Sequence, residues 1–427
     1  DLTTFHALPK GGRSEIDPIV PGKPEESYLV ELMKAKDASR MPPKDSGDAV
    51  PAAKIAIVEQ WIREGAKLDG DIKANADLLR ELRVRWKPPV PPTAYQYPVI
   101  ITAVTFSPDN GKVVAGGHHE INVWDIKTGK LEKRLRTRAE RTYALEFLPN
   151  GQLVAAGGRP GQEGDVKVYD LNASKGKVEN GVTVLDGVND KKVLVKQLLE
   201  TDDVVLCLDL STDGKRLVSG GCDRLVRVWD LSKGVQEAKL EQTIENHADW
   251  VFSVELTRDG KQLLSASRDK TAKVWDLKAK ESVMTFPSHQ APVYGVTVNA
   301  DAKMGFSVGE DKQVRSWNMT GNRRRQVRAG GGHSAAVVKV LHHPKQNLLV
   351  TCSADKTVRI WEPSRLRATR TLSGHTDWVY ALAFSKDGNL LVSGAYDGGI
   401  RVWNVSDGKL IKAFNGSPGL KSVATSK

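Results

Sequence analysis

Cysteine is scarce in this chain: three residues in 427, Cys207, Cys222 and Cys352, with no CxxC pair among them. Their odd number and wide spacing exclude a disulfide framework and a thiolate zinc site, and the three read as small buried hydrophobes. Long apolar runs are missing too. No stretch of about 18 apolar residues occurs, so no segment reads as a transmembrane helix. Acidic excess is also absent, because 63 Lys+Arg against 52 Asp+Glu leave a formal charge of +11. Residues 1–90 hold 15 of each sign, so the surplus lies downstream, densest at Arg323, Arg324, Arg325 and Arg328. A surface of that sign can meet nucleic acid, anionic lipid or an acidic protein, although spread over a large area it chiefly serves solubility. No nucleophile elbow, phosphate loop or metal-ligand cluster is found, and no enzyme is expected. With 40% hydrophobic and 27% charged residues the composition is that of an ordered globular chain.

What the chain does have is tryptophan, 10 residues, at regular places. Strand-like segments close on Trp124, Tyr169, Trp229, Trp275, Trp317, Trp361 and Trp403, at spacings of 45, 60, 46, 42, 44 and 42. Alternating apolar strands precede each anchor, several of them after Asp-Gly or Asn-Gly turns such as SPDNGK, STDGKR, TRDGKQ and SKDGNL, and a further strand follows it, as in Asp407 to Phe414. Four strands per unit in seven units predict a seven-bladed β-propeller, a mainly β fold. The 60-residue gap adds a stretch near 172–203, read as a surface insertion whose KKVLVKQLLE segment is an extra strand or a short helix.

A second regularity is more specific. His247, His289, His333 and His375 each precede Asp269, Asp311, Asp355 and Asp397 by 22 residues, and each Asp precedes Trp275, Trp317, Trp361 or Trp403 by 6. Such constancy is what a buried hydrogen-bond network requires, since every partner must meet the others at about 3 Å. Ser265 or Ser267, Ser307, Ser353 and Ser393 are the hydroxyls expected to complete it. A pair recurring four times is structural, because a catalytic dyad is normally singular. These residues resemble the WD40 family over roughly residues 99–416. The third unit keeps only Asp223 and Trp229, and the first two keep only the anchor, with His118 and Glu163 where the Asp would stand, so these two are expected to be looser.

Residues just after each His and just before each Asp gather at one rim: Trp250, Phe252, Arg268, Tyr294, Glu310, Trp378, Tyr380 and Tyr396. Aromatic side chains and Arg are the usual anchors of protein interfaces, and the resemblance implies a docking platform. Protein partners are therefore expected at this rim.

Residues 1–86 have helical periodicity instead. One helix is expected from Pro24 to Lys36, with Tyr28, Leu29, Leu32 and Met33 on one face, and a second from Val50 to Gly65, burying Ile55, Val58, Trp61 and Ile62. A third is expected over Lys73 to Arg85. Residues 87–98 are a Pro-rich linker read as a semi-rigid spacer, and residues 417–427 a C-terminal tail. The segments IVPGKPEESYLV, SRMPPK and VEQWIREGA resemble the planctomycete-type cytochrome c domain. The resemblance implies haem c attached at a CxxCH, with Met41 as axial ligand, electron transfer to a redox partner, and a periplasmic or secreted location. The chain contains no CxxCH, so residues 1–427 alone support no cofactor. The resemblance puts that motif upstream of Asp1, and His6 is a poor substitute. The expectation is thus a scaffold joined to a cytochrome c-like, N-terminally incomplete domain. The alternatives are a haem-free docking scaffold and a basic-surface binder of nucleic acid or anionic polymer, with nucleic acid ranked behind a protein partner.

Overall fold

A computed structural model of the protein describes residues 16–68, 72, 73, 75–287, 289–320 and 326–420. His6 and the run Arg323, Arg324, Arg325 lie outside the described residues. The chain divides into two compact units, Asp1–Lys87 and Pro88–Lys427.

In the first unit three helices are present, α1 (Tyr28–Lys34), α2 (Ala52–Arg63) and α3 (Leu78–Arg85). Pro24 does not open α1. It sits in a separate 3-10 turn, Pro24–Glu26, because buried Ser27 is extended (φ −88°, ψ 113°) and its hydroxyl is engaged twice. Ser27 Oγ accepts from the Val20 N–H (2.9 Å) and donates to Lys23 O (2.9 Å). Ile55 and Ile62 of α2 bury against Ile19, Val30 and Ala66, with Leu29, Met33, Val58 and Trp61 at the border. Helix α2 ends before Gly65 at φ +99°, a left-handed position that suits glycine. The start of α3 is five residues later than the periodicity suggests, with Asp77 Oδ1 accepting the Arg80 N–H (3.2 Å).

The second unit begins with nine strands in one sheet: β1 (Val104–Phe106), β2 (Lys112–Gly116), β3 (His118–Asp125), β4 (Leu131–Phe147), β5 (Leu153–Arg159), β6 (Glu163–Tyr169), β7 (Lys177–Glu179), β8 (Val182–Asp186) and β9 (Leu194–Thr201). Strand β4 is the joint between two repeats, since its first half pairs with β3 and its second half with β5. Five separate four-stranded antiparallel sheets follow, at Val205–Glu245, Val251–Phe286, Val293–Gly330, Val337–Leu372 and Val379–Asn415, each in sequential strand order.

Each anchor side chain packs on the repeat before its own. Tyr169 lies with Ile121 and Val123, Trp229 with Val154 and Val168, Trp275 with Val218 and Val228, and Trp317 with Leu264 and Val274. Trp361 lies with Phe306 and Val314, and Trp403 with Val350 and Ile360. Trp124 of the first sheet packs on Val392, Ile400 and Val402 of the last, which closes the ring into a β-propeller. An aromatic body of this size removes enough apolar area from water to contribute on the order of 2–3 kcal/mol at each joint. Closure rests on this side-chain packing. It adds the Trp124–Phe414 ring contact (5.3 Å) and bonds from the Ile101 N–H to Ala395 O (3.1 Å) and the Val99 N–H to Ser417 Oγ (2.8 Å).

Three expectations need correction. The KKVLVKQLLE segment is neither an addition nor a helix: β9 within it is the fourth strand of the second repeat, pairing with β6. The added part is the β7–β8 hairpin, and β8 pairs in parallel with β4 and buries Leu185 in the core. The first two repeats are not loosely held. Buried Glu120 pairs with Arg134 (2.6 Å), and buried Glu163 takes both Arg138 (3.0 Å) and Arg159 (2.9 Å), so ion pairs stand where the His–Asp pairs are missing. Finally, part of the Pro-rich stretch is docked rather than spanning free: Tyr95 donates to Glu120 Oε1 (2.9 Å), its N–H bonds Pro418 O (3.0 Å), and Arg134 donates to Pro92 O (2.7 Å).

Candidate functional site

The histidine networks set the rim. In three repeats the loop histidine Nδ1 meets the turn aspartate, at 2.8 Å for His247 and Asp269, 2.9 Å for His289 and Asp311, and 2.7 Å for His333 and Asp355. Nε2 meets a hydroxyl on the second strand, Ser265 (2.7 Å), Ser307 (2.7 Å) or Thr351 (2.8 Å), and the anchor indole donates to that same oxygen at 2.9, 2.8 and 2.8 Å. Thr351, not Ser353, completes the third network, because Ser353 lies two residues further along the same face, at the strand end, where it bonds Ala335 O (3.3 Å). Ser267 likewise ends its strand and bonds Asp249 O (3.0 Å). Burial alone would raise the Asp311 carboxyl, but bonds from His289 and Arg315 outweigh it and hold the group at about 2. The same balance lowers Asp269 and Asp355.

The fourth network is incomplete. His375 Nε2 still meets Ser393 (2.7 Å) and Trp403 donates to that hydroxyl (2.9 Å), but Nδ1 stands 4.0 Å from Asp397. Arg401 occupies the space, with Nη1 3.2 Å from His375 Nδ1, while Asp397 turns to the Thr376 N–H (3.0 Å) and hydroxyl (2.5 Å). Burial and the Arg401 charge hold His375 well below the usual imidazole range. In the third repeat no histidine precedes Asp223, and Arg227 takes that carboxylate (2.7 Å). Ser219 Oγ and Trp229 Nε1 are then buried without partners.

With His loops and Asp turns pinned together, the residues beside them are fixed at one end of the sheets. Trp250 and Trp378 follow identical Asp-Trp steps, in which Asp249 and Asp377 each accept the next N–H at 2.8 Å. Their carbonyls accept the Arg268 and Tyr396 N–H groups, both at 2.9 Å. The Arg268 guanidinium lies 4.8 Å above the Trp250 ring, an exposed cation–π contact. Trp250 contacts Phe252 (6.3 Å), Phe252 contacts Tyr294 (5.1 Å) edge to face, and the Tyr294 hydroxyl donates to Glu310 (3.3 Å). A second group joins Trp378, Tyr380 and Tyr396 at 6.1 and 6.3 Å. The eight residues therefore form two clusters, one shared by two neighbouring sheets and one on the last sheet. Trp250, Trp378 and Tyr396 remain 38, 48 and 47% exposed. Burial and then the Glu310 charge push the Tyr294 phenol up to about 12, so it stays a neutral donor near neutral pH.

A regularity in pairing explains the placement, and its other members were not visible in the rim pattern. The innermost strand of six repeats has a register shift at its second residue, and the residues there are Tyr143, Leu206, Phe252, Tyr294, Val338 and Tyr380. A β-bulge releases a side chain from the ladder, and here it presents an aromatic or aliphatic group, half-buried, at each step around the ring. Three residues further along three of these strands lie Glu146, Asp209 and Glu255. Burial and then the Asp209 charge raise Glu146 to about 8, against the opposing charge of Lys339, and burial raises Asp209 and Glu255 as well. The mouth is aromatic and the interior below it carries carboxylates.

In the helical unit a cleft of about 380 Å³ is lined by Ile19, Pro21, Trp61, Gly65, Ala66, Lys67 and Leu68. Met41 is 37% exposed and not part of that lining, and the three cysteines all belong to the other unit. The residues present therefore do not by themselves fit haem c, which needs a cysteine pair and two axial ligands.

Comparison with known proteins gives two family matches. A model described as "WD domain, G-beta repeat" matches residues 94–125, 192–230, 238–276, 280–318, 324–362 and 366–404, together more than half of the chain. A model described as "Planctomycete cytochrome C" matches residues 1–45. Among curated proteins the chain is similar to U3 small nucleolar RNA-associated protein 12 of Saccharomyces cerevisiae, 33% identical over 31% of this chain and 12% of that protein. It is also similar to Protein groucho of Drosophila melanogaster (29% identical, 32% and 16% covered) and to Transcription factor unc-37 of Caenorhabditis elegans (31% identical, 31% and 18% covered). The matches span less than a fifth of these relatives' lengths.

Proposed function

The chain belongs to the WD40 (WD domain, G-beta repeat) family, and from that premise we propose that its propeller, of seven blades with β4 shared by the first two, is a docking scaffold whose aromatic rim receives a protein partner. The single observation that carries this reading is the pair of exposed tryptophans, Trp250 and Trp378, each held by the same Asp-Trp loop geometry and backed by further aromatic rings. Rigid loops lower the ordering cost of binding, and exposed Trp, Tyr and Arg are the side chains from which interfaces draw most of their energy. The recurrence of His–Asp–hydroxyl–Trp networks favours a structural role for those histidines and a non-catalytic protein. Affinity capture with the wild type and with a Trp250→Ala/Trp378→Ala variant tests the proposal. Partners enriched by the first and lost by the second are expected, and identical capture by both refutes rim docking.

A second reading is favoured by the match at residues 1–45 and by the partly exposed thioether of Met41. In it the helical unit would be a haem c electron carrier in a periplasmic or secreted protein, with Met41 the residue whose sulfur would hold the iron. It requires a CxxCH beyond the sequence given. Absorption spectra of the protein from its source, oxidised and dithionite-reduced, together with intact mass, decide it: a sharp reduced c-type band supports it, and a featureless visible spectrum with the mass of this chain removes it.

A further inference from the structure

We propose that the end of the propeller opposite the aromatic rim docks on an anionic lipid surface. In a four-stranded antiparallel sheet the turn joining strands one and two and the turn joining strands three and four emerge together, at the end away from the His loops. Acidic groups in several of these turns are engaged by backbone N–H groups: Asp125 accepts from Thr128 (2.7 Å), Asp276 from Lys278 (2.9 Å) and Ala279 (2.9 Å), and Glu362 from Ser364 (2.9 Å). Between strands one and two, Asp109, Asp213 and Asp387 accept likewise from Gly111 (3.0 Å), Lys215 (3.0 Å) and Asn389 (3.1 Å).

The cations stand exposed at the turn tips and outnumber the exposed acids beside them, such as Asp109, Asp213 and Asp259. Lys127, Lys233, Lys278, Arg365 and Lys409 stand between strands three and four, in five different repeats, and Lys215, Lys303, Lys345 and Lys386 between strands one and two. Some retain acidic neighbours, as Lys409 does with Asp407 (3.5 Å) and Lys303 with Asp301 (3.3 Å), but these surface pairs are weak. Arrayed around a ring of sheet ends, the cations match a plane rather than a groove following one strand. Leu240 and Leu410, 46 and 48% exposed, sit beside Lys239 and Lys409 at the start of fourth strands, where apolar side chains can enter a headgroup layer. Each lysine near an anionic bilayer contributes about 1 kcal/mol, so several acting together produce measurable binding without a pocket.

The test uses the full chain and vesicles of phosphatidylcholine alone or with about 30% phosphatidylserine, at about 50 mM and about 500 mM salt. Co-sedimentation is expected with the anionic vesicles at low salt, at least about tenfold above neutral vesicles, and is expected to disappear at high salt. A Lys127→Glu/Lys233→Glu/Lys278→Glu/Lys409→Glu variant, checked by thermal melting to be folded, is expected to lose that binding, and the Trp250→Ala/Trp378→Ala variant to keep it. Equal binding to both vesicle types, no binding at low salt, undiminished binding by the charge-reversed variant, or preference for an oligonucleotide over the vesicles each overturns the proposal. Rim docking stands or falls separately, because its variant changes the other end.

Discussion

His375 Nδ1 and Asp397 are 4.0 Å apart, while the equivalent atoms of the other three repeats close to 2.7–2.9 Å, and Arg401 fills the difference. The same four residue types at the same spacing thus produce two arrangements: the equivalent Arg315 pairs with Asp311 (2.9 Å) beside a closed network, whereas Arg401 approaches the histidine itself. An arginine that removes a histidine from its carboxylate also removes the support for a protonated ring, so the last repeat carries its histidine neutral.

Replacing Arg401 with Ala is expected to let Asp397 approach His375 and to raise the histidine pKa, because the repelling charge leaves and an attracting one nears. Titration of the imidazole by NMR checks this. An unchanged midpoint contradicts the assigned role of Arg401.

The orphaned Trp229 predicts an asymmetry between two otherwise equivalent anchors. Trp275→Phe removes the indole bond to Ser265 and is expected to lower stability by about 1–3 kcal/mol. Trp229→Phe removes no bond and is expected to cost less than about 1 kcal/mol, apart from the change in ring volume. Denaturant unfolding of both variants makes the comparison, and equal losses would refute it.

Stability should fall as pH drops below about 6.5. The pKa values of His333 and His375 are lowered in the fold, chiefly by burial, so the unfolded chain binds more protons and folding loses free energy as pH falls from the unfolded value through the folded one. A second loss follows below the usual carboxylate range, where Asp269, Asp311 and Asp355, lowered in the fold, take up protons. Melting temperatures across pH 4–7 in His333→Gln are expected to show a flatter first phase from a lower starting stability, and an unaltered slope would contradict it.

Glu146 works with the opposite sign. Raised to about 8, its contribution is intact below the ordinary carboxyl range and is lost as pH rises through 8. Glu146→Gln is therefore expected to melt a few degrees above the wild type at pH 9 and to match it near pH 4, a difference on the order of 1 kcal/mol at the alkaline end. A constant offset at all pH values would show that burial, not charge, governs this position.

The repeat, its anchors and the three closed networks were legible because constant spacing reflects constant geometry. The counterparts of His247, Asp269 and Trp275 keep the same spacing in four repeats, and in three of them the histidine and aspartate close on each other. What escaped depends on non-local pairing. The β7–β8 hairpin reads as an insertion until β8 is seen to join β4 in parallel, and no linear spacing pairs Arg134, Arg138 and Arg159 with Glu120 and Glu163, which are buried beside them. The choice of Thr351 over Ser353, two residues apart on one face, follows from position along the strand, which the constant separation of 18 residues from the histidine carries. The rim aromatics were found from their neighbours, whereas the companions Tyr143, Leu206 and Val338 are recognisable only through the bulge they share.

Docking at the rim is tested most directly by the affinity of a captured, purified partner for the wild type and for the folded Trp250→Ala/Trp378→Ala variant. Two buried anchors of about 2 kcal/mol each predict a loss of affinity on the order of a hundredfold or more, with little dependence on salt. Equal dissociation constants for the two proteins, with the variant's melting temperature unchanged, would contradict the account and move the partner's site away from this rim.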